Sequence, residues 1–144
     1  MRWTASILAV ALLAGIAGAL PNQSSVDELK ARLQNAKPDE RVTLSLEIAE
    51  RQVASADQLY RDGKPEEAEA AIKDVVTYAE QAGKNVSGRH MKNTEIAMRK
   101  MSHRLGDIKR TVAFENQATV QSAIDSLEKI RTSLLNRMFG KDQK

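Results

Sequence analysis

The sequence predicts an all-α fold: an antiparallel up-and-down bundle of four long helices with a short helix in front of them. Three observations predict it. Apolar residues recur at spacings of three and four through most of the chain after residue 25. Aromatics make up only 3% of the 144 residues, and strand-favouring runs are scarce. A core must then be built from Ala, Leu, Ile, Val and Met, which suits close helix packing better than a sheet. Finally, the breaks between periodic stretches are short, and short connections make consecutive helices antiparallel neighbours.

Before the first periodic stretch comes a segment of another kind. Arg2 supplies a positive start, Ala5 to Leu20 is uncharged and rich in Ala, Leu, Ile and Val, and Ala17 and Ala19 are the small residues that signal peptidase accepts. Residues 1–19 therefore read as an export signal cut after about Ala19, which leaves residues 20–140 as the helical domain and 141–144 as a polar tail. Retained instead, the same stretch is an anchor of about the length that spans a bilayer. Pro21 would stop a helix from running on into the domain.

Ser25 and Glu28 have capping-box spacing and predict a short helix over 26–36 through Val26, Leu29 and Leu33. Pro38 suits a first helical turn, with Asp39 and Glu40 at the positive end of the dipole. This second helix runs over 38–62 on Val42, Leu46, Ala49, Val53, Ala56 and Tyr60. Leu44, Ile48 and Leu59 widen its apolar face, so more than one neighbour is expected. Gly63-Lys64-Pro65 is a stop followed by a start. The third helix, 65–82, carries Ala68, Ile72, Val75, Ala79 and Ala82, with a loop from Gly83 to Gly88. The fourth, 88–114, has Met91, Met98, Leu105 and Val112 seven apart, interleaved by Met101 and Ile108, which is a heptad seam. A break near Asn116-Gln117 leads to the fifth, 118–139, on Val120, Ala123, Leu127, Ile130, Leu134 and Met138.

Ala56, Gly63, Pro65, Glu67-Ala68, Ile72 and Val75 stand at the spacings of small, turn and packing residues in one helical hairpin of the tetratricopeptide repeat family. The segment from Ala56 to Val75 resembles that hairpin, and the resemblance implies a helix–turn–helix and a role as a protein-binding adaptor. A frame shift of the repeat's ~34 residues puts His90 opposite Ala56, Ala97 opposite Gly63 and Ser102 opposite Ala68. No second copy is visible.

Charge is polarised along the chain. Asp39 to Glu80 holds eleven acidic and five basic residues, whereas Lys84 to Arg110 holds eight basic and two acidic. Within the basic stretch, Lys92, Arg99, Lys100, His103 and Arg110 lie away from the Met seam and form one positive band. Three roles suit such a band: a solvated face, a dock for the acidic second and third helices, or a surface for an anionic partner such as lipid head groups, acidic envelope polymer or an acidic protein. Nucleic acid is not expected, because the product is exported and stacking aromatics are missing here.

Reaction chemistry finds little support. There is no cysteine, so disulfides, thiolate metal sites and haem attachment are excluded. No glutamate has a histidine three residues on, as bundle di-iron sites require. Met91, Met98, Met101 and His103 contain copper-type ligand atoms, but His103 falls on the face opposite the Met seam. No catalytic residue, cofactor or metal is expected. The sequence thus points to an exported, non-catalytic interaction or structural module of the cell envelope, periplasmic or extracellular. Its contacts would use the basic band or an apolar groove on the wide face of the second helix. The alternatives are a metal or small-ligand binder lined by Met91, Met98, Met101 and Tyr60, and a single-hairpin adaptor. Self-association through the heptad seam would make a homo-oligomer; a membrane enters only if the signal stays attached.

Overall fold

The computed structural model describes residues 21–140. Residues 1–19, expected to be an export signal, and the expected tail at 141–144 lie outside the described residues. Five helices follow one another: α1 (Pro21–Gln34), α2 (Pro38–Arg61), α3 (Pro65–Asn85), α4 (His90–Thr111) and α5 (Phe114–Phe139). No strand occurs among the described residues. The chain forms the all-α bundle that its periodicity predicts.

Pro38 and Pro65 are the first residues of α2 and α3. At that position the missing N–H costs no helical hydrogen bond, and the fixed φ is already helical. Pro21 is the first described residue of α1, and the expectation that it holds a helix off falls at the edge of the described residues. Ser25 and Glu28 fall inside α1, so the capping box expected at residue 25 is not formed.

The α2–α3 turn follows from its residues. Gly63 has φ +72°, its N–H bonds the Tyr60 carbonyl at 3.2 Å, and the Lys64 N–H bonds the Leu59 carbonyl at 2.9 Å. This pair of bonds is a Schellman motif, which satisfies carbonyls at the end of α2 and needs a left-handed residue. Space is not the constraint, since a Cβ on Gly63 would meet nothing within 4 Å. Gly63→Ala should accordingly lower the unfolding free energy by about 1 kcal/mol in urea denaturation; an unchanged midpoint would show that the turn relaxes.

Three boundaries differ from expectation. α3 continues through Gly83 to Asn85, because Gly83 lies against α5 and is not a stop. α4 begins at His90, after Gly88 at φ +57°. The break expected near Asn116 comes earlier, at Val112 and Ala113, whose ψ angles of 158° and 150° are extended. No glycine or proline marks it; Val112 packs against the core from the break itself.

The helices form layers. α2 and α3 pair along their lengths, and so do α4 and α5. The second hairpin sits on the first chiefly through α5 on α3, while α2 meets α4 over a shorter stretch and α3 barely touches α4. Side-chain bonds set the register. Glu95 with Arg131 and Lys109 with Gln121 make α4 and α5 antiparallel, whereas Glu69 with Thr119 and Gly83 with Arg137 make α3 and α5 parallel.

α2 explains its wide apolar face by serving three neighbours. Leu44 and Ile48 join Val26, Leu29 and Ala36 in a small cluster under α1. Ala49, Val53, Ala56 and Leu59 enter the main core with α3, α4 and α5. Val42 and Leu46 line a groove shared with α4. The order is thus α1, then the α2/α3 hairpin, then the α4/α5 hairpin, with α1 covering one side of the stack.

Candidate functional site

The basic band keeps the geometry that its spacing predicts. α4 turns Met98, Met101, Leu105 and Ile108 into the main core. Residues on the opposite side of the same helix must then face out. Lys92, Arg99, Lys100, His103 and Arg110 are all exposed. Asp107 is the acid that meets them: Arg110 bonds it, and His103 Nδ1 lies 3.5 Å from it. The other acid of α4, Glu95, is buried in the α4–α5 seam, where it accepts a 2.6 Å bond from Arg131 Nε. One acid of α4 is thereby withdrawn from the surface, and the band is left more positive than the sequence count suggests.

The acidic helices do not cover the band. Glu47 and Asp57 of α2 pair along their own helix with Arg51 and Arg61. Asp74 of α3 faces the opposite layer, accepting bonds from Lys30 of α1 at 2.5 Å and from Gln52 of α2 at 2.8 Å. Burial works to lower the Lys30 pKa, but the hydrogen bond and charge of Asp74 outweigh it and hold the ammonium above its ordinary value. The Lys30 ammonium also stands 5.5 Å from the centre of the Tyr78 ring. Docking of the acidic second and third helices against the fourth is thus corrected: α1 takes the place that α4 was expected to take. The sequence signal for this was Lys30, one of two cations of α1 with Arg32, and nothing in its spacing named Asp74.

Two further features lie close by. The groove between α2 and α4 has a volume of about 470 Å³, with Val42, Leu46, Val86 and Ala97 on its apolar walls and Asp39, Glu47 and Glu50 on the α2 rim. It is not the apolar groove expected from the wide face of α2: Leu44, Ile48 and Leu59, which widen that face, are buried under α1 and in the main core, and this groove is lined largely by polar residues. Two phenylalanines, Phe114 and Phe139, stand 87% and 74% exposed at the two ends of α5. Sequence reading counted them among the few aromatics without placing them outside.

The residues proposed to line a ligand-binding core are arranged as packing. Met98 and Met101 are buried and Met91 is half-buried in the main cluster, while His103 points away from all three. Tyr60 is half-buried beside the same cluster; burial, with the nearby charge of Glu69, raises its pKa. No group of three or more His, Asp or Glu residues able to hold a metal occurs among the described residues. The heptad seam is likewise occupied within the chain, so self-association through it would require opening the core.

No described helix is long and apolar enough to cross a membrane. No curated protein and no solved structure matches the chain. A family model does match, over residues 21–137, and that span takes in α1 to α4 and nearly all of α5. The match thus spans all three layers described above, and the chain belongs to the family described as a domain of unknown function, DUF5667.

Proposed function

We propose that the protein is an exported, non-catalytic helical module of the cell envelope that engages an anionic partner through the outer face of α4. The observation that carries this reading is the band itself. Five basic or titratable side chains lie exposed on one helix, and Glu47, Asp57 and Asp74 of the acidic helices pair elsewhere. Export is argued from the composition of residues 1–19, and a secreted domain without cysteine fits a fold held by apolar layers alone.

Exposed charges separated by a Debye length are screened by salt, so an interaction of this kind must weaken as ionic strength rises. Binding of labelled dextran sulfate, followed by fluorescence anisotropy, should fall steeply with added salt. Arg99→Glu combined with Lys100→Glu should weaken it by about tenfold at low salt, with the melting temperature unchanged. Binding that ignores both salt and this double substitution would overturn the reading.

A further inference from the structure

We infer that the anionic partner is a lipid bilayer surface, and that Phe114 and Phe139 anchor the outer face of the α4/α5 hairpin in it. The inference rests on the anionic-partner reading above and adds the class of partner and the anchoring residues.

The two phenylalanines are the only ones in the chain, and both are left in solvent. They are twenty-five residues apart in one helix, which is about seven turns, so they share a side of α5 and stand about 37 Å from each other. That side is fixed by its neighbours. Phe114 lies one heptad before Gln121, and Gln121 reaches Lys109 of α4. The stripe that meets α3 is a different one, carrying Thr119, Gly83-facing Ile130 and Arg137. The phenylalanines therefore flank α4 and point away from the first hairpin.

The basic band occupies the same face. Lys92, Arg99, His103 and Arg110 are spaced by seven, four and seven, a single stripe opposite the buried Met98 and Met101. Within it sits Ile96, half-exposed and outside both apolar clusters. Most acids of the α4/α5 hairpin are engaged: Glu95 and Glu128 with Arg131, Asp107 with Arg110, and Asp125 as acceptor for Gln121; Glu115, exposed beside Phe114, is the exception.

The shape decides between partners. Three grooves among the described residues run along the seams between α2 and α4 and between α3 and α5, and none of these three opens on this face. A peptide partner takes an apolar groove or an edge. A bilayer takes a plane with cations at head-group level and aromatic side chains beside them. Two aromatic points at opposite ends of a cationic face, on the side of the stack that α1 does not cover, match the plane.

Co-sedimentation with vesicles tests this, using the protein as its cells leave it. Vesicles of phosphatidylcholine alone report any binding by residues 1–20, and vesicles containing phosphatidylglycerol report the face. The protein should prefer the anionic vesicles, and Phe114→Ser with Phe139→Ser should reduce that preference by about tenfold. The same pair should leave dextran sulfate binding and the melting temperature unchanged, since neither ring is buried. Binding to dextran sulfate without preference for anionic vesicles would overturn the lipid assignment and leave the anionic-partner reading standing. Binding to neither would overturn both. Vesicle binding unaffected by the serine pair would overturn the anchoring role of the phenylalanines.

Discussion

Leu127→Ala is expected to lower the free energy of unfolding by about 3 kcal/mol or more. Leu127 is fully buried, on α5, in the cluster that also holds Val53 of α2, Ile72 of α3 and Leu105 of α4. Truncation removes apolar surface from that shared core and leaves a cavity that four helices cannot all close. For a domain of this size the melting temperature should fall by about 10 °C. Because one cluster joins both hairpins, helix content and tyrosine fluorescence should still be lost in one coincident transition during urea titration. Leu135→Ala is the control. Leu135 is half-exposed and lies outside both clusters, so its loss should cost less than about 1 kcal/mol. Equal costs at the two positions would mean that the layers do not share a core.

The features legible in the sequence are those whose cause is local. Gly63 and Pro65 specify their turn through backbone chemistry alone, and the structure has the turn where they stand. The Met seam and the basic band of α4 follow from helical period, so both faces could be assigned before any neighbour was known. The surplus apolar width of α2 was legible for the same reason, although Leu44 and Ile48 bury it under α1 and not in a groove. What stayed hidden depends on which helix meets which. The acidic character of α3 suggested α4 as its partner, yet Asp74 meets Lys30 of α1, because hairpin-on-hairpin stacking brings α5, and not α4, against α3. The end of α4 was hidden too. Val112 continues the heptad pattern and belongs to the core, but it does so from extended backbone, and hydrophobic spacing cannot tell the two cases apart.

Gly83 shows the same limit, and its substitution is the second large effect. In the sequence it reads as a stop, since glycine costs a helix interior about 1 kcal/mol relative to alanine. In the structure it is buried in the last turns of α3, and a Cβ built on it would lie 2.6 Å from Ile130 Cγ2 on α5. Real Cβ atoms do not come so close, and Ile130 is β-branched within a helix, where its χ1 has little freedom to turn aside. The glycine is therefore what lets α3 and α5 approach. The approach in turn places Arg137 where it donates to the Gly83 carbonyl at 2.7 Å and the Val86 carbonyl at 2.5 Å, satisfying the end of α3 with a cation at the negative end of its dipole. Gly83→Val should thus cost about 3 kcal/mol through overpacking, with the loss of the Arg137 bonds included. Ile130→Ala, which removes the obstructing methyl, should cost about 1–2 kcal/mol by itself, because Ile130 is only half-buried. Combined with Gly83→Val it should be less costly than the sum of the two by more than about 1 kcal/mol. That coupling, read from a double-mutant cycle in urea, separates a steric seam from a simple backbone preference. Additive costs would show that Gly83 is needed for its own conformation and not for the approach of α5.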